Sequence, residues 1–190
     1  MIKLKDPFSK DEVLQSLAGV NREVADYFAA IPANAFFTPF PAAWSPAENL
    51  VHLIKSVSPV AKALKLPKLL LRVLFGVSKK SSRRFHQLKN DYRRVLAKGG
   101  RATGRYIPTV QVATEFEPAQ KRILLKWNEV GERLLAGVRA WNEDDLEKMR
   151  LPHPLLDKLT AREMLFFTLY HNLHHVNNVR QRLGHELIAL

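Results

Sequence analysis

Three of the chain's seven histidines, His171, His174 and His175, fall within five residues of one another near the C-terminal end. At helical spacing His171 and His175 share one face, about 6 Å apart along the axis. Two imidazoles placed in this way can bridge a single metal ion. His174 is turned about 100° from His175 and is less suited to that ion. Taken alone the pair is a weak signal, and two hydrogen-bonded core histidines are its plainer reading. Met164, Phe167, His171, His175 and Asn178 form one stripe of this helix, and Leu165, Leu169, Leu173, Val176 and Leu183 form another. A helix apolar on both flanks is buried on more than one side, by bundle neighbours or by a second subunit. A metal in such a core needs a third ligand from a facing helix. His52, in the amphipathic stretch 44–57, is the candidate, and a surface histidine is its plainer reading.

Four helices must position these groups. Ser9 and Glu12 form a capping box ahead of Val13, Leu17, Val20, Val24, Tyr27 and Ile31, and Pro32 stops that helix. Residues 33–43 read as a loop. Ser45, Pro46 and Glu48 are N-cap, first helical residue and capping-box partner of the second helix, which Pro59 kinks or restarts. The third runs from about Glu117 to Trp141, with Glu129 and Arg133 as an exposed i,i+4 pair. Thr160 and Glu163 open the fourth, which ends near Gly184. No strand is expected. The whole reads as an all-α four-helix bundle with a long connection between its second and third helices.

Composition narrows the function. The 190 residues contain no cysteine, which excludes disulfides, thiolate metal sites and cysteine nucleophiles. No export signal or membrane-length apolar run is visible, so a cytoplasmic location is the expectation. The net charge is +12, but residues 62–105 hold 14 Lys/Arg against one acid, while the rest holds 16 against 17. The basicity belongs to one segment. No P-loop, dinucleotide fingerprint or serine-nucleophile elbow is present.

The stretch Trp44-Ser45-Pro46-Ala47-Glu48-Asn49-Leu50-Val51-His52-Leu53 resembles the W-S-x-x-E-x-x-x-H-L element of the DinB/YfiT-like metal-binding bundle proteins. Leu159-Thr160-Ala161-Arg162-Glu163, followed by His171-Asn172-Leu173-His174-His175, is similar to their last helix, where L-T-x-x-E precedes H-x-x-x-H. The resemblance implies one DinB-like domain over 1–190, with 62–116 as a basic crossover. It also implies up-down-down-up helix order and a divalent ion, zinc or nickel, held by His52, His171 and His175. The family often has Gln three residues after the last ligand, where this chain has Asn178. Asn178, His174 and Glu48 are then candidates to orient a ligand or touch substrate.

Three neutral imidazoles leave positions open for water or substrate, as catalytic metal sites do. The resemblance implies a metal-dependent enzyme acting on a small molecule, with a low-molecular-weight thiol as nucleophile in a transferase, or water in a hydrolase. Glu48 is a candidate general base, although its capping box already accounts for it. A non-catalytic metal-binding or stress-response protein is the alternative. A homodimer is expected from the family and from the two-sided last helix. From another class comes a binding module for an anionic partner through 62–105. There Arg83, Arg84, Arg93 and Arg94 would meet the phosphates of nucleic acid, or residues 69–75 with Lys68 and Arg72 an anionic membrane. A solvated cationic helix covering the bundle end is the plainer reading, since no nucleic-acid fold signature is seen. His86, His153 and His185 read as exposed.

Overall fold

The computed structural model describes residues 6–110 and 114–190. Its elements in chain order are α1 (Lys10–Ala29), α2 (Ala33–Phe37), α3 (Pro46–Ala63), α4 (Lys68–Phe75), α5 (Phe85–Ala97), a 3-10 turn (Gly104–Tyr106), α6 (Phe116–Arg139), α7 (Glu143–Lys148), β1 (Arg150–His153), β2 (Asp157–Thr160) and α8 (Ala161–Arg182).

All three expected capping boxes form. In α3 the Glu48 N–H donates to Ser45 Oγ at 3.1 Å, and the Ser45 N–H donates to the Glu48 carboxylate at 2.7 Å. The same reciprocal pairs open α1 and α8, satisfying amide groups that have no partner within the helix. The apolar faces then meet: α1 packs on α6 and α8, and α3 packs on the same two helices. The result is a four-helix bundle in up-down-down-up order, with α4 and α5 on the crossover from α3 to α6. Trp127, Phe28, Phe36 and Phe166 are fully buried at its centre. The ring N–H of Trp141 donates to the Leu64 carbonyl at 2.8 Å. Nearby α3 and α6 approach so closely that a Cβ on Gly137 would lie 2.9 Å from Leu64 Cβ. The Glu129–Arg133 pair forms on the exposed side of α6 at 3.0 Å.

Several local expectations are corrected. Helix α3 runs unbroken through Pro59. Burial of Val57, Val60 and Ala61 outweighs the loss of one backbone donor. Residues 33–37 are a short helix rather than loop, with Phe36 pinned in the core. Residues 150–160 form an antiparallel hairpin, pairing Leu151 with Leu159 and His153 with Asp157. Leu151 and His153 alternate inward while Pro152 faces out, and the two prolines of this stretch hid that period in the sequence.

The basic segment is partly structural. The Arg83 guanidinium binds the buried Glu163 carboxylate at 2.8 Å and Asp91 at 2.7 Å, tying the crossover to the start of α8. Arg94 also pairs with Asp91, and Arg84 lies over the Phe8 ring. Three of the four arginines assigned to phosphate contacts thus have partners within the chain. Helix α8 is packed by α1, α3, α5 and α7, so its two apolar flanks are covered without a second subunit. Among the described residues, no helix is long and apolar enough to cross a membrane.

Candidate metal centre

Helices α3 and α8 face each other, and their contact brings His52 against His171 and His175. One ring nitrogen from each of the three lies within 4.8 Å of the other two, and all three side chains are buried. His52 Nε2 and His171 Nε2 are 3.1 Å apart. A tetrahedral ion with bonds of about 2.0–2.1 Å to nitrogen sets its ligands roughly 3.3 Å from one another, a value inside the observed spread.

The hydrogen-bond network determines which nitrogens are available. His52 Nδ1 lies 2.7 Å from the Tyr106 carbonyl oxygen. A carbonyl only accepts, so Nδ1 carries the hydrogen and Nε2 of the neutral ring is bare. The Asn49 amide nitrogen donates to the carbonyls of Trp44 and Ser45 at 3.1 and 3.0 Å, which orients that amide. Its Oδ1 therefore accepts from His175 Nδ1 at 2.8 Å, leaving His175 Nε2 bare as well. Outer partners of this type hold the rings of metal-bound histidines. Burial lowers the pKa of His52, and lowers those of His171 and His175 well below the ordinary range, with neighbouring histidine charge adding to the effect on the latter two. The rings are neutral near pH 7, as metal ligands must be. Two bare nitrogens aimed into one buried cluster fit a cation.

The cluster opens on a cavity of about 800 Å3. Trp44 walls it, its ring 4.9 Å from His52 and stacked at 6.0 Å on His175. Phe167 stacks on His171 at 4.8 Å. His174 and Asn178 line the cavity, with the Asn178 amide donating to His174 Nε2 at 3.3 Å. His174 lies on the cavity wall beside the triad, its pKa lowered by burial and then by His52. Glu48 is not among the lining residues, and its carboxylate is engaged at the Ser45 N–H.

Other contributors escaped the sequence. Asn49 was legible only as a residue inside the W-S motif, and Tyr106 acts through its backbone, which has no signature. His153, expected to be exposed, is 7% exposed and lines the cavity. Its Nδ1 accepts from the N–H groups of Leu155 and Leu156 at 3.1 and 3.0 Å. Nε2 therefore carries the hydrogen, and it has no partner among the described residues. The hairpin turns the ring inward, and burial lowers its pKa to about 4. His86 and His185 are exposed as expected, lying 3.3 Å from Asp6 and 3.2 Å from the Tyr27 hydroxyl.

No curated protein sequence matches this chain. Two solved structures resemble it. One is YfiT from Bacillus subtilis, described as a probable metal-dependent hydrolase with an unusual four-helix bundle topology. It aligns over 97% of this chain and 95% of its own, with a TM-score of 0.59 and 16% identity. The other is the colibactin self-resistance protein ClbS, solved with double-stranded DNA, with a TM-score of 0.49 and 13% identity over 97% of this chain and 100% of its own. The sequence profile of the DinB superfamily matches residues 16–179, from within α1 through all three clustered histidines. The chain therefore belongs to the DinB superfamily.

Proposed function

We propose that the protein is a divalent-metal-dependent enzyme in which His52, His171 and His175 hold the ion and a small molecule reacts in the adjoining cavity. The observation that carries this reading is the convergence of three buried, neutral imidazoles, two of them turned nitrogen-inward by Tyr106 and Asn49. Zinc and nickel both suit such a nitrogen set. The ion, when bound, supplies Lewis acidity that ionises a coordinated thiol or water near neutral pH.

The chain's own groups favour the thiol. No carboxylate lines the cavity among the described residues, and Glu48 is committed to its capping box. Hydrolysis by water calls for a general base within hydrogen-bond reach, whereas a thiol is ionised more readily. His174 lies on the cavity wall, where its Nε2 accepts from the Asn178 amide. Trp44 and Phe167 exclude water from one side of the cluster. The reading is thus a thiol-dependent transferase acting on an electrophile. Water in place of the thiol gives a hydrolase, the activity ascribed to YfiT.

Purified protein should carry close to one divalent ion per chain by mass spectrometry of metals. His52→Ala and His171→Ala should each lose it while keeping parental helicity. Full metal retention by both variants refutes the ligand set. Screening electrophiles with several cellular thiols, and with water alone, decides between transfer and hydrolysis. Absence of both reactions in metal-loaded protein would favour a non-catalytic metal-binding role.

A further inference from the structure

The cavity beside the three histidines is electrostatically one-sided. Lys62, Arg101, Arg105 and Arg182 lie along it, and no aspartate or glutamate does among the described residues. Among the described residues, none of the four cations is paired with a carboxylate. Lys68, Arg83 and Arg94 of the basic segment are instead paired with acids. Single exposed charges bind weakly, but a cleft lined by one sign of charge over low-dielectric walls focuses its field. Below the rim the walls are apolar, including Val60, Leu96, Leu155 and Phe75. A volume of about 800 Å3 is that of a small-molecule site.

The loop bearing two of these cations is anchored. Arg105 donates to the Tyr106 hydroxyl at 3.1 Å and lies over that ring. The Tyr106 carbonyl accepts from His52, and the next carbonyl, of Ile107, accepts from Lys55 at 2.7 Å. The segment that orients His52 therefore also presents the rim arginines.

We propose that this cavity selects an amphipathic organic anion, its acidic group held by Arg101 and Arg105 at the mouth and its apolar body against the wall below. The inference rests on reading this cavity as the substrate site, but it does not require the metal.

The test is calorimetric titration of chelator-treated full-length protein with decanoate, decan-1-ol and decyltrimethylammonium. Decanoate should bind about tenfold or more tightly than the alcohol, as one charge-assisted contact allows, and the ammonium should not bind. The advantage should shrink as salt rises from about 50 to about 500 mM. Arg101→Gln/Arg105→Gln should weaken decanoate about tenfold and leave decan-1-ol within about twofold; both arginines are exposed, so folding should be unaffected. Equal affinity for acid and alcohol would overturn the proposal. So would decanoate binding that survives the arginine changes and is lost in Leu69→Ser/Val73→Ser, which alters the exposed apolar face of α4. Decanoate binding in a protein that takes up no metal would retain this inference and remove the metal reading. The reverse pattern would retain the metal alone.

Discussion

Replacing Asn49 by leucine tests the centre at the point where its chemistry is decided. Asn49 is 5% exposed and makes three hydrogen bonds, two to main-chain carbonyls and one from His175. Leucine keeps the same branched skeleton of four side-chain heavy atoms but removes all three. The orphaned His175 N–H costs about 1–3 kcal/mol and the two carbonyl bonds about 1 kcal/mol each, partly offset by added apolar burial. A net loss of about 3 kcal/mol corresponds to roughly 6–12 °C in Tm for a chain of this size. Without its acceptor, His175 is free to rotate or change tautomer, and zinc affinity should fall about 10–100-fold. Competition against a chromophoric chelator measures this directly, with circular dichroism to confirm folding. Asn172 is the control: it is fully buried, and neither amide atom has a partner among the described residues. Asn172→Leu should keep parental affinity. A folded Asn49→Leu protein that binds zinc within about twofold of the parent would refute the tautomer argument.

Acid should destabilise the protein through His153. Its folded pKa of about 4 lies below the ordinary 6.5, so its contribution is complete above about pH 6.5 and is lost as pH falls toward 4, a total of about 3 kcal/mol. His153→Asn keeps an acceptor for the Leu155 and Leu156 amides without titrating. Its Tm should decline less steeply than the parent's on acidification, and an unchanged slope would count against the buried neutral ring. Gly137→Ala should cost about 1–3 kcal/mol in urea unfolding, because α3 and α6 must separate around Leu64 despite the gain in helix propensity; a stabilised variant would contradict that close approach. Arg162 is 3% exposed and binds Glu143 at 2.6 Å, Glu147 at 3.0 Å and the Phe8 carbonyl. Arg162→Ala should lose about 3 kcal/mol or more, and a neutral result would show those partners finding water without cost.

What could be read along the chain was local chemistry. Ser45 with Glu48 and Thr160 with Glu163 declare helix starts because a cap and its partner stand three residues apart, within the span that the interaction itself covers. His171 and His175 declare a shared face because helical geometry alone puts them there. From these, the bundle and two of the three clustered imidazoles were legible; His52 stood as the candidate third from a facing helix, and the family motif gave it that role. Everything requiring two distant segments to meet was decided by packing. No pattern in residues 104–107 foretells that the Tyr106 carbonyl will turn His52 inward, because every residue has a carbonyl. Asn49 became the orienting group for His175 only when α3 faced α8. His153 looked like a turn residue between prolines until the hairpin folded it against Phe167. Of the crossover arginines, Arg83 and Arg94 became structural pairs while Arg101 and Arg105 stand on the cavity rim, according to which acids reached them. Spacing along a helix is fixed by the backbone, whereas tautomer, burial and charge pairing depend on neighbours that only the folded chain supplies.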